Sequence, residues 1–335
     1  MEYSGAFICG VGLRWAATVG GLGPEPAAEE VCPTTVLIKL VDPTEALVGV
    51  NEAKMTRTLR SYEAEVAVLR DVCPLLATEG IRVPRVFAAE VEYGPFRTLA
   101  VMECCTPEFE QHARFSRKLA VAALDWLARF HALGFAVRHR GTLAESMVWP
   151  QGGHTSLANR PSDEVDQVAV GFERLRANFA AAEEDFIQPS ADLGIRLQRV
   201  ARQVDQWLAE STCRTLSHGD FKAGNIFVQN QNATAPEICV IDWQWTGWNV
   251  PQQDLIYFLS TSVDDDCVAD WRGLLRHYHE ILVASLRSPT GEQGHGASAE
   301  QAESSLSFEE TMRLFQLAVL DYMRWALAYR LVDET

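Results

Sequence analysis

The stretches SHGDFKAGNIFV (residues 217–228) and EICVIDWQW (residues 237–245) decide how this chain is read. In the first, Asp220 and Asn225 stand five apart on a tight loop, Lys222 follows the Asp by two, and an apolar strand begins at Ile226. In the second, the apolar run 238–241 delivers Asp242 at its end. The polar QNQNATAP between them (residues 229–236) predicts a hairpin, so the two strand ends bring Asn225 and Asp242 together.

Phosphoryl transfer needs oxygen ligands for Mg²⁺, a carboxylate to orient the attacking hydroxyl and accept its proton, and positive charge on the phosphates. One loop and one strand end supply all three. The spacing of Asp, Asn and a later Asp is that of the protein-kinase catalytic loop and metal site. With HGD, an Asn five after the Asp, and IDWQ, the chain resembles the aminoglycoside phosphotransferase and choline kinase-like small-molecule kinases, in particular the ecdysteroid kinase-like branch. The resemblance implies that Asp220 is the catalytic base, that Asn225 and Asp242 bind Mg²⁺, and that Lys222 faces the γ-phosphate of ATP. It makes His218 a brace of the loop rather than a reacting group.

Residues 34–41 (TTVLIKLV) read as a buried strand ended by Asp42-Pro43. Residues 51–72 carry Leu59, Tyr62, Val66 and Leu69 at helical spacing and stop before Cys73-Pro74. Residues 85–92 and 97–103 read as strands joined through Gly94-Pro95. Only four of the 29 basic residues are lysine, so Lys39 inside a strand invites a reason. By the resemblance, Lys39 holds the α and β phosphates with Glu65 as its ion-pair partner, and backbone groups of Glu103 and Cys105 bond adenine at the hinge. The helix predicted over 116–133, ending in Leu127-Ala128-Arg129-Phe130-His131, and the later Asp254-Leu255 match as well. His131 is expected as a core histidine, and Asp254 as a structural acceptor for catalytic-loop amides. Residues 138–166 show no clean period and read as loop or short helix, 288–305 as a polar insertion, and 308–331 as a closing helix.

The implied fold is α+β: a bilobed protein-kinase-like fold with a small antiparallel-sheet N-lobe carrying one helix (1–103) and a larger, mainly helical C-lobe (104–335). The pattern departs from the family at the start. Residues 1–15 hold no GxGxxG; Tyr3-Ser4-Gly5-Ala6 resembles the end of such a loop running into a second strand at 7–15, with the first strand absent. An incomplete phosphate lid is the consequence, weakening ATP affinity without removing the metal site. The glycine cluster at 18–24 reads better as a turn. Two readings follow. One is an ATP-dependent phosphotransferase acting on a hydroxyl of a small molecule; the other is a pseudokinase or nucleotide-binding interaction protein, against which the intact Lys39, Glu65, Asp220, Asn225 and Asp242 argue. A small acceptor is favoured by the resemblance and by the absence of a long activation segment after Asp242.

Composition narrows the partners. The 335 residues carry a net charge of −16, which repels phosphate backbones and anionic membranes, so nucleic acid is excluded as a partner. The most apolar candidate for a membrane span, 315–332, is broken by Asp321, Arg324 and Arg330, and no basic region precedes the apolar patch at 6–13, so no membrane and a cytoplasmic location are expected. The eight cysteines show neither zinc spacing nor a disulfide framework and are expected to be buried small hydrophobes. Trp243, Trp245 and Trp248 admit an aromatic cage for a cationic amine, with core packing as the expected reading. His277 and His279 diverge on a helix and do not form a metal site.

Overall fold

The computed structural model describes residues 6–12, 35–43, 49–106, 108–141, 143–179, 190–229, 236–287 and 306–330. The segments 1–5, 13–34 and 288–305 lie outside these, and with them most of the glycine-loop region, the 18–24 cluster and the polar insertion.

Four antiparallel strands form the sheet of the smaller lobe: β1 (Ala6–Gly12), β2 (Thr35–Val41), β3 (Val86–Tyr93) and β4 (Phe96–Glu103), in the order β1-β2-β4-β3. Lys39 sits in β2 between Ile8 of β1 and Ala100 of β4, so its backbone is fixed from both sides. β3 and β4 pair out to Tyr93 and Phe96, leaving Gly94-Pro95 as a two-residue turn.

Helix α1 (Glu52–Ala67) starts where the Asn51 side chain accepts the Lys54 N–H at 2.8 Å. Of its expected inward stripe, Tyr62, Val66 and, beyond the helix, Leu69 are buried, and Leu59 is half-buried. The chain does not stop at Cys73-Pro74. A π-helical turn (Val68–Val72) leads into α2 (Cys73–Thr78), with Pro74 in the first turn of the new helix, where its missing N–H leaves no bond unmade.

The larger lobe is built around α3 (Arg117–Arg140), which buries Ala123, Leu127 and Phe130. It runs past the predicted end at 133 to Gly141, whose left-handed φ of 62° closes it, and Gly134 in its interior is a point of close approach. A Cβ there would collide with Thr215 Oγ1 and Leu216 N of the crossing strand β6 (Thr215–Ser217), so glycine keeps the helix seated. Among the described residues it is α3, and not the stretch 315–330, that is long and apolar enough to cross a membrane. It has 61% of its most apolar window buried inside the fold, as the core helix of a globular lobe does.

Around α3 lie β5 (Phe109–Gln111), α4 (Val168–Phe179), α5 (Leu193–Ala209), β7 (Ile226–Gln229), β8 (Ile238–Val240), β9 (Gly247–Asn249), α6 (Gln252–Thr261), α7 (Asp265–Ala269), α8 (Trp271–Arg287) and α9 (Phe308–Trp325). β7 and β8 pair as the predicted hairpin, with β5 on the far side of β7, and β6 pairs with β9. The region 143–166 is loop with three short 3₁₀ turns. A four-stranded antiparallel lobe with one long helix, joined to a mainly helical lobe, is the bilobed protein-kinase-like α+β arrangement.

Two arginines of α1 tie the lobes together. Arg57 Nη1 donates to the Asn159 carbonyl at 3.1 Å, and Arg60 Nη2 donates to the carbonyls of Val148, at 2.8 Å, and Ser146.

Candidate active site

The loop carrying Asp220 is held from below by one buried carboxylate. Asp254, at the start of α6, accepts the N–H of His218 (2.7 Å), the N–H of Gly219 (2.8 Å), the Ser217 hydroxyl (3.0 Å) and His131 Nε2–H (3.1 Å). Burial opposes its charge, but the bonds from His131 and the Gly219 amide outweigh it and hold its pKa below the ordinary value. His131 is itself buried, with Nδ1 accepting from the Tyr278 hydroxyl at 2.7 Å. Gly219 has φ of 83°, and a Cβ there would overlap the Trp245 carbonyl, so this position of HGD admits only glycine.

His218 bridges the two motifs. Its Nε2–H donates to the Ile241 carbonyl at 3.1 Å, and its Nδ1 accepts the Asp220 N–H at 3.3 Å. The Ile241 N–H donates to the Asn225 carbonyl at 3.0 Å, so the residue before Asp242 is bonded directly to Asn225. The aromatic residue after each Asp anchors it. Phe221 and Trp243 are fully buried and both pack on Trp126.

At the surface of this frame the two oxygens of Asp220 are used differently. Oδ2 accepts Lys222 Nζ at 2.8 Å and Asn225 Nδ2 at 3.0 Å, and Asn225 Nδ2 also bonds the Asp220 carbonyl at 2.9 Å. Oδ1 is buried with no hydrogen-bond partner, and so is Oδ1 of Asp242. An orphaned buried carboxylate oxygen is costly unless something else satisfies it. Among the described residues no three His, Cys, Asp or Glu side chains gather as a metal cluster. An Asn and an Asp, with one oxygen unspent, fit a hard divalent cation that takes its other ligands from phosphate and water. Asp242 is also the only non-glycine among the described residues with a positive φ, 68°.

Across the cleft, Lys39 Nζ lies 2.7 and 2.8 Å from the two Glu65 oxygens. Burial works against the ammonium, but the carboxylates of Glu65 and Asp242 outweigh it and raise its pKa, so it stays charged. Gln244, the last residue of IDWQ, also approaches Glu65, Nε2 to Oε2 at 3.5 Å.

The structure thus gathers Asp220, Lys222 and Asn225 on one loop, with Asp242 beside them and within electrostatic reach of the Lys39–Glu65 pair. Glu103 and Cys105 stand apart at the end of β4. The Glu103 N–H donates to the Arg85 carbonyl at 2.8 Å, its carboxylate pairs with Arg82 at 2.6 Å, and the Cys105 carbonyl accepts from Phe109 N–H at 3.0 Å. These bonds narrow the hinge reading to the Glu103 carbonyl and the Cys105 N–H. Trp243 and Trp248 are buried at 1% and 2% exposure and cannot form a substrate cage. Trp245 alone of the three is partly exposed, stacked on Trp149 with ring centroids 5.2 Å apart. His277 bonds Asp125 and His279 bonds Thr311, on separate sides of α8.

Two contributors escape a reading of the sequence. Gln244 has no role in the sequence reading, and its place two residues after Asp242 is the signal it offers. His154, whose Nδ1 lies 3.6 Å from Asp220 Oδ1, comes from the aperiodic 138–166 region, which carried no signal.

The model of the ecdysteroid kinase-like family matches residues 39–289. No curated protein matches the chain. Similar solved structures include amicoumacin kinase in complex with AMP-PNP, Ca²⁺ and Ami, at 14% identity over 86% of this chain and 82% of that one, TM-score 0.41. Plasmodium vivax ethanolamine kinase is 14% identical over 89% of this chain and 71% of that one, TM-score 0.41. A type VIII aminoglycoside-3'-phosphotransferase is 20% identical over 86% and 85%, TM-score 0.36.

Proposed function

The chain belongs to the ecdysteroid kinase-like family, and from that premise we propose that it is an ATP-dependent phosphotransferase that transfers the γ-phosphoryl group to a hydroxyl of a small molecule. The observation that carries this reading is Asp220 Oδ1, a buried carboxylate oxygen left without a partner while its twin is held by Lys222 and Asn225. An acceptor hydroxyl bonding to Oδ1 would satisfy it and give up its proton there as the new O–P bond forms. Lys222 and Asn225 on Oδ2 fix the carboxylate plane, which orients the other oxygen. Lys39, kept charged and straight by Glu65, meets the α and β phosphates, and Lys222 lies on the γ side. Adenine takes the Glu103 carbonyl and the Cys105 N–H, at the boundary between the lobes. Mg²⁺ held by Asn225 and Asp242 would supply neutralisation of phosphate charge.

A small acceptor is supported by the short path after Asp242, since β9 and α6 follow directly, ending at Asn249 and starting at Gln252. Incubating the protein with Mg²⁺, ATP and a metabolite extract, beside an Asp220→Asn variant, tests the proposal by mass spectrometry. Compounds that gain one phosphoryl group only with the unmodified protein are expected. No such gain, in an extract where an established small-molecule kinase succeeds, favours the pseudokinase alternative.

A further inference from the structure

We infer that His154 is the positioning residue of the base, fixing the direction in which Asp220 presents its free oxygen to the acceptor. The inference rests on reading Asp220 as that base. Asp220 is gripped on one side only: Lys222 and Asn225 both reach Oδ2. On the Oδ1 side the neighbouring polar atom is His154 Nδ1, 3.6 Å away. The same Nδ1 lies 3.1 Å from the Gly219 carbonyl. A carbonyl only accepts, so Nδ1 carries the proton, and its N–H ties down the left-handed glycine that sets the course of the chain into Asp220. The His154 backbone N–H bonds that same carbonyl at 3.3 Å. The residue therefore holds Gly219 twice.

The imidazole is itself locked. Tyr257 of α6 and Trp325 of α9 meet it edge to face, with centroids 4.9 and 5.2 Å away, and Trp245 closes a third side at 6.1 Å. Its loop is pinned as well. Gly153 N–H donates to the Trp245 carbonyl at 2.9 Å, Asn159 Nδ2 bonds the carbonyls of Gln151 and Gly153, and Asn249 Nδ2 bonds that of Gly152. Burial keeps the ring neutral, since it lowers the pKa against the pull of Asp220. The single Nδ1 proton is spent on the Gly219 carbonyl, so the neutral ring fixes the backbone from which Asp220 projects and leaves Oδ1 unbonded.

The test follows ADP release from Mg²⁺-ATP with water as the acceptor, on the full chain. His154→Ala should lower kcat about 10- to 100-fold with the KM for ATP unchanged. In an Asp220→Asn background the same change should cost less than about 2-fold, because a residue acting through Asp220 has nothing left to act on. His154→Asn, whose amide N–H replaces Nδ1–H, should recover most of the loss. His154→Gln, whose amide stands where Nε2 was, should not, and this Asn/Gln pair decides the matter if the alanine variant fails to fold. An alanine variant within 2-fold of the unmodified chain, equal losses in both backgrounds, or Gln matching Asn would overturn the inference alone. An unmodified chain no faster than Asp220→Asn overturns the kinase reading, and the inference with it.

Discussion

Lys39 and Glu65 meet through two contacts of 2.7 and 2.8 Å, joining β2, one of the two inner strands of the small lobe, to α1, which also reaches the large lobe. Both side chains are largely buried, at 12% and 7% exposure, so neither charge is well served by water if the other is removed. Glu65→Leu should destabilise the protein by about 3 kcal/mol in urea denaturation and raise the KM for ATP. The double change Lys39→Met with Glu65→Leu should regain most of the stability and none of the activity. A double variant as unstable as the single one would show that the pair is not the coupled unit described.

Asp254 is placed to control the catalytic loop without touching a reactant. Asp254→Asn keeps the shape but turns an N–H₂ toward a set of groups that are all donors. A loss of about 3 kcal/mol is expected, with ADP release falling even where the protein remains folded. Calorimetry and a turnover assay on the same sample check both.

Acid should weaken the fold well above the carboxylate range. Burial lowers the pKa of His131 and of His154, so the unfolded chain binds protons that the folded one refuses. Stability therefore rises with pH through this window. It is fully present above the ordinary value of 6.5 and is lost below it, by up to about 1.4 kcal/mol per pH unit for each histidine, until the lowered folded values are reached. Urea midpoints between pH 5 and 7.5 should show the slope, and His131→Gln should reduce it.

Asp242 combines a metal-type carboxylate with a backbone that only some residues tolerate. Asp242→Asn and Asp242→Ala should both abolish Mg²⁺-dependent turnover, but the alanine variant should also be about 1 kcal/mol less stable, since φ of 68° suits Asn far better than Ala. Asp242→Gly, relieved of that strain, should be as inactive as Ala and more stable. Equal stability of all three would mean the segment relaxes freely.

The gathering of the candidate site residues is legible in the sequence because it is local. Asp220, Lys222, Asn225 and Asp242 lie on a loop and two short strands whose pairing the sequence pattern announces, and Lys39 and Glu65 lie on elements with clear periods. What was not legible is what depends on distant packing. Pro74 reads as a stop, yet a π-turn before it lets the chain begin a new helix. The helix predicted to end at 133 runs on through Gly134, where β6 crosses. The Glu103 N–H and the Cys105 carbonyl are spent inside the protein, which no spacing announces. His154 reaches Asp220 only because Asn159, Asn249 and three aromatic rings from elsewhere hold its loop, and no periodicity records such a meeting.

Arg57 and Arg60 grip the far lobe by main-chain oxygens, those of Asn159, Val148 and Ser146, rather than by side chains. A carbonyl is present whatever residue bears it. Replacing Ser146 or Val148 therefore leaves the Arg60 grip in place, whereas His154 and Asn159 in the same stretch carry side-chain contacts of their own. The tie between the lobes is thus indifferent to which side chain stands at the positions it touches, and sensitive only to the course of the backbone through them.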